Sequence, residues 1–136
     1  MPDPCTYDYA IVRVMPRVER GEFVNVGAIV SSDAKGYLAA RFAVDEARLL
    51  ALDPHVDLNA VRTALAAIAA VCAGGAAAGA IGRLSLRERF HWLVAPRSTM
   101  IQTSAVHTGR CDDLADALDH LLARMVRPPT TSGPSP

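Results

Sequence analysis

The sequence predicts an α+β fold: a mainly antiparallel sheet of about four strands with helices packed on one face. Three observations carry that expectation. Two β-branched runs, residues 7–14 and 23–31, are joined by a connection too short for a helical crossover. A third run, with alternating apolar residues, follows the turn signal Asp33-Ala34-Lys35-Gly36. Helical spacing then takes over in Leu58–Ala73 and returns near the C-terminal end, after one more β-branched stretch.

Taken in order, residues 1–6 are Pro-rich and read as loose. Residues 7–14 (YDYAIVRV) form the first strand, ended by Pro16, which cannot donate to a ladder. In the second strand Val24, Val26, Ala28 and Val30 are expected on one face, with Phe23, Asn25, Gly27 and Ile29 on the other. The third strand, residues 37–44, turns Leu38, Ala40, Phe42 and Val44 inward and Ala39 and Arg41 outward. Asp45 caps a short helix to about Leu52, stopped by Pro54.

Asp57 caps the best-marked helix, Leu58–Ala73, where Leu58, Val61, Leu65, Ile68 and Cys72 share a face and Gly74-Gly75 closes the end. Residues 76–82 are a small-residue linker. Ser85-Leu86-Arg87-Glu88 matches a capping box, giving a short helix to about Trp92; a strand over residues 90–94 is the alternative. Residues 98–108 read as the fourth strand, ended by Gly109. Asp112 or Asp113 caps a last amphipathic helix to Val126. Residues 1–127 thus read as one α+β domain, and 128–136 (PPTTSGPSP with Arg127 before it) as a disordered tail.

Composition narrows the function classes. The chain has 136 residues, enough for a core without staples, but much of its 51% hydrophobic content is alanine and only 5% is aromatic. Fourteen basic residues balance 14 acidic ones, so net charge gives nucleic acid or an anionic membrane no support as partner. Cys5, Cys72 and Cys111 are odd in number and far apart, which matches neither a disulfide framework nor a zinc site. A cytoplasmic, reducing setting is the expectation. Met1 precedes Pro2-Asp3-Pro4 rather than a basic and apolar leader, and the alanine-rich run is broken by Arg62, Thr63 and glycines. No cofactor and no metal is expected: no phosphate loop, dinucleotide fingerprint or HExxH motif is present.

Two polar segments could carry chemistry. The first is the knot between the first two strands, with Arg13, Arg17, Arg20, Glu22 and Asn25. Guanidinium groups there could hold an anion or a partner's carboxylates bidentately, with Glu19 and Glu22 orienting them. The plainer reading is a charged turn whose exposed ion pairs are each worth about 0–1 kcal/mol. Asn25 and Gly27 interrupt an otherwise apolar strand, which asks for a ligand or at least a bulge. The second segment holds Arg89, His91, Arg97, Ser98, Gln102, Ser104 and His107. Histidine could act as acid or base there, although His91 beside Trp92 is more often a packed residue. Cys111 stands beside two aspartates, which raises a thiol pKa and argues against a reactive thiolate.

These two stretches, VRVMPRVERGEFVNVGAIV and GRLSLRERFHWLVAPRSTMIQTSAVHTG, resemble the bacterial domain-of-unknown-function family numbered 3037, over about residues 6–126. Arg13, Pro16, Arg20, Glu22, Asn25, Gly27, Arg89, Phe90, Pro96, Arg97 and Gln102 match its pattern. The resemblance implies no activity. It does imply a HipA-like kinase as a candidate partner, because family members tend to be encoded next to such kinase domains.

Three functions compete on these grounds. The first is a binding or accessory module that docks on a kinase-like partner through the Arg/Glu/Asn knot. The second is an enzyme acting on a phosphate ester or nucleic acid, with Arg17, Arg20 and Arg97 stabilising charge and Glu22 or His107 moving the proton. The third is a homo-oligomer packed through its alanine-rich helices. All candidate site residues, Arg13, Arg17, Arg20, Glu22, Asn25, Arg89, Arg97, Gln102 and His107, serve the first two readings only if the two segments converge in space.

Overall fold

Residues 4–129 are described by a computed structural model. Their strands are β1 (Cys5–Val14), β2 (Val24–Ser32), β3 (Tyr37–Phe42), β4 (Ile101–Thr103) and β5 (His107–Cys111). The helices are α1 (Glu46–Leu52), α2 (Leu58–Ala73), α3 (Leu86–Val94) and α4 (Leu114–Leu121), the last continuing into a π-helical turn over Leu122–Val126. This is an α+β fold on an antiparallel sheet of order β3-β2-β1-β4, with β5 also paired to β1. No helix among the described residues is long and apolar enough to cross a membrane.

Each helix start follows from a short side chain that satisfies an otherwise orphaned N–H. Asp45, Asp57 and Asp113 accept from the backbone N–H of Arg48, Ala60 and Asp116. Ser85 and Glu88 complete a reciprocal capping box, so residues 90–94 are helix and not strand. The same box draws the Glu88 carboxyl below its ordinary range, chiefly through hydrogen bonds with Ser85.

β1 organises the sheet because both of its edges are used. It pairs with β2 along one edge, and with β4 and β5 in succession along the other. The expected fourth strand, residues 98–108, is therefore two strands. Between them Ser104 keeps the sheet closed: its N–H donates to the Ile11 carbonyl at 2.8 Å, and its hydroxyl accepts the Ile11 N–H at 2.9 Å. Gly109 does not end a strand but lies inside β5, opposite Tyr7. A Cβ there would come within 2.7 Å of the Tyr7 phenol, so the glycine makes room for a ring. Cys5 and Thr6, expected to be loose, are held by pairing with Cys111 and Arg110. Residues 130–136 of the expected tail lie outside the described residues.

The second correction concerns the faces of β2. Val12 pairs with Gly27, but Arg13 pairs with Asn25, so Val26 is an extra residue and β2 carries a bulge. The inserted residue reverses the alternation. Val24 and Val26 join Val12, Val14 and Ile29 in a core with Leu49, Val61, Leu65, Phe90 and Leu93. Ala28 and Val30 face the other way, with Ile11, against Leu118, Leu121, Leu122 and Val126. The four residues expected on one face are thus split between two cores. Gly27 sits at the switch, where a Cβ would come within 2.3 Å of the Phe42 ring.

Both faces of the sheet are therefore apolar and both are covered. Helices α1, α2 and α3 cover one face as expected, but α4 covers the opposite one. Of the two β3 residues expected to face outward, Ala39 packs beneath α4, whereas Arg41 stays exposed and pairs with Asp119.

Candidate functional site

The bulge puts three candidate residues in one row. Asn25 of β2 pairs with Arg13 of β1, which pairs in turn with Gln102 of β4. Directly paired residues in antiparallel strands point to the same side, so these side chains share a face. The Asn25 amide donates to the Met125 carbonyl at 2.9 Å, binding the last turn of the chain to the row. The Arg13 guanidinium lies 4.1 Å from the centre of the Phe23 ring. Phe23 is 42% exposed, although large aromatic rings are ordinarily covered. Arg13 Nε and Asn25 Oδ1 are buried without a hydrogen-bond partner among the described residues. Gln102 donates to the Thr99 carbonyl at 2.9 Å and contacts Met15 Sδ.

Between β1 and β2 lies the charged turn. Val18–Arg20 form a 3-10 turn closed by Gly21 at φ 72°, a left-handed conformation that suits glycine. Arg20 pairs with Glu22, whose hydrogen bond and charge hold the guanidinium proton more firmly. Arg17 reaches Asp53 at 3.6 Å and Glu19 at 3.8 Å. Asp53 is buried at the end of α1, where it also accepts the His55 N–H. Arg17 therefore supplies the countercharge for a buried carboxylate.

Two other candidates are occupied at helix ends. Arg89 donates to the Val71 and Cys72 carbonyls at 2.8 and 2.7 Å, and to Leu84 at 3.2 Å. Those first two belong to the last turn of α2, whose carbonyls have no intrahelical partner. Arg97 does the same for α3, donating to the Trp92 carbonyl at 2.7 Å and Leu93 at 2.9 Å. Its guanidinium lies 4.6 Å from the Trp92 ring centre. His107 stands apart on β5, its ring 5.5 Å from that of Tyr9.

Of the nine candidates, the fold joins Arg13, Asn25 and Gln102, leaves Arg17, Arg20 and Glu22 on the β1–β2 connection with Arg17 turned to Asp53 and Arg20 to Glu22, and assigns Arg89 and Arg97 to helix termini. The reading of the sequence missed Phe23 and Met125. A phenylalanine beside five charged residues was a signal for the first; the second depends on where α4 lands and had none.

A polar hollow of about 270 Å³, lined by Asp8, Ser31, Asp33, Arg87 and His91, lies apart from these candidates. An apolar groove of about 410 Å³ runs between α2, α3 and β4, with Ile68, Trp92 and Met100 in its walls, and it brings together two of the candidates, Arg97 and Gln102. Among the described residues no group of three or more His, Cys, Asp or Glu side chains is placed to hold a metal ion.

A family model described as a protein of unknown function (DUF3037) matches residues 9–126. No curated protein and no solved structure matches the chain.

Proposed function

Since the chain belongs to the DUF3037 family, in which nothing assigns a reaction, we propose that it is a small accessory module that binds a partner protein. The docking surface is the patch formed by Arg13, Phe23, Asn25 and Met125, with Arg17, Glu19, Arg20 and Glu22 as its charged rim. One observation carries the reading: a half-exposed phenylalanine lies beneath a guanidinium that has no carboxylate partner among the described residues. Exposed aromatic and Arg side chains in contact are what the centres of protein interfaces are made of. The partner supplies the missing carboxylate, and Arg13 donates to it bidentately while its flat face stays on Phe23.

The partner is a HipA-like kinase, as the family resemblance implies. An enzymatic role on phosphate esters or nucleic acid fits the geometry less well. It would need Arg97 to leave the carbonyls of α3 and Arg20 to leave Glu22.

The test is coexpression of the chain with a HipA-like kinase, followed by size exclusion and calorimetry. A complex is expected whose affinity falls at least about tenfold in Arg13→Ala and in Phe23→Ala, the range of an interface centre. Separate elution of the two proteins, or a complex indifferent to both substitutions, overturns the proposal.

A further inference from the structure

We propose that Cys5 and Cys111 are the two halves of a reversible intramolecular disulfide, with a low-molecular-weight disulfide such as oxidised glutathione as the oxidant. The two residues are direct partners across β1 and β5, and their Sγ atoms lie 3.6 Å apart. Facing residues in antiparallel strands have Cα atoms about 4.5–5.5 Å apart, within the 4.4–6.8 Å or so that a disulfide spans. Rotation about the side-chain bonds is enough to bring the sulfurs to the bonding distance of about 2.05 Å. Both residues are only half-buried, so an oxidant reaches them. Cys72 is buried in the other core, against α2 and the sheet, and takes no part.

Two exchange steps make the bond. The Cys5 thiolate attacks one sulfur of the oxidant, forming a Cys5 mixed disulfide and releasing one thiol. The Cys111 thiolate then attacks Cys5 Sγ, forming the Cys5–Cys111 bond and releasing the second thiol. Two protein thiols are oxidised, one external disulfide is reduced to two thiols, and nothing else is consumed.

The surroundings set the tempo. Burial, the hydrogen bond with Cys5 and the charges of Asp112 and Asp113 push the Cys111 thiol up to about 11. The second step is therefore slow near neutrality and quickens as pH rises. The Cys5–Cys111 bond would fasten the beginning of β1 to the end of β5, two residues before Asp113 caps α4. A sequence reading finds no pair here because 106 positions separate the partners; only the register reveals them.

The full chain, kept folded, is incubated with oxidised glutathione at several pH values, quenched in acid, alkylated and peptide-mapped. Two of its three cysteines are expected to be lost together to one Cys5–Cys111 cross-link, with Cys72 alkylated and the link opened again by dithiothreitol. Cys111→Ser should stop the reaction at a stable glutathione adduct on Cys5, and Cys72→Ala should leave closure unchanged. Persistent adducts on both cysteines of the unaltered protein, cross-links between chains, or links through Cys72 would overturn the proposal.

Discussion

Among the described residues two arginines lie over aromatic rings, and they do different work. Arg97 stands over Trp92 at 4.6 Å and Arg13 over Phe23 at 4.1 Å. Each ring is 42% exposed. Arg97 has spent its donors on the last carbonyls of α3, where a cation also meets the negative end of the helix. Arg13 has no such helix end to serve, and its Nε is left without a partner among the described residues. The same pair of side chains is a brace in one place and an open hand in the other. What separates them is the availability of orphaned carbonyls, which is a property of the fold and not of the residue.

Substitutions can break this contrast, and the largest effect is expected where an arginine braces most. Arg89→Ala strips charge-assisted hydrogen bonds from the end of α2 and should cost about 3 kcal/mol of unfolding free energy in urea. Arg89→Lys should recover only part of it, since one ammonium cannot reach carbonyls on both sides of the turn. Arg97→Ala should cost less, about 2 kcal/mol, because that site is more open to water. Arg13→Ala should shift the urea midpoint little, by under about 1 kcal/mol, while removing partner binding. If Arg13→Ala proves as destabilising as Arg97→Ala, the two pairs are both braces and the distinction fails.

The smallest effect concerns pH. Glu88 is drawn below the ordinary carboxylate range by Ser85, so its contribution is present above that range and lost as pH falls through the lowered value. The stability difference between the protein and Ser85→Ala, followed by urea titration at descending pH, should therefore narrow in acid. A gap of constant size would mean that the cap acts through its neutral hydrogen bond alone.

Local chemistry was legible in the sequence and register was not. Asp45, Asp57 and Ser85 could be read as caps because each acts on an N–H three residues away. The α+β class followed from the same short-range signals. Asn25 and Gly27 hinted at a bulge, but the split of the faces escaped because valine fills either face equally well, so nothing marked Val26 as the extra residue. Gly109 looked like a stop for the same reason: its purpose is set by Tyr7, about a hundred positions earlier. At the candidate site, the residue types of Arg13, Asn25 and Gln102 could be picked out, but their alignment depends on pairing across three strands. Arg89 and Arg97 carried the same signal as Arg13, and only the helix ends told them apart.

The extra valine in β2 has a wider consequence. An insertion of one amino acid puts Val24 and Val26 on the same side of the ribbon as Ile29 and leaves Ala28 and Val30 to the other. Excising Val26 would restore an unbroken ladder in which Asn25 still lies opposite Arg13 and Val24 opposite Val14, but the interior beneath α2 would lose a fully buried valine and the Ala43 N–H its acceptor. Circular dichroism of such a shortened chain should keep its strand signal, while thermal melting should report a lower midpoint. One extra residue thereby adds apolar volume to one interior without disturbing the pairing on either side of it.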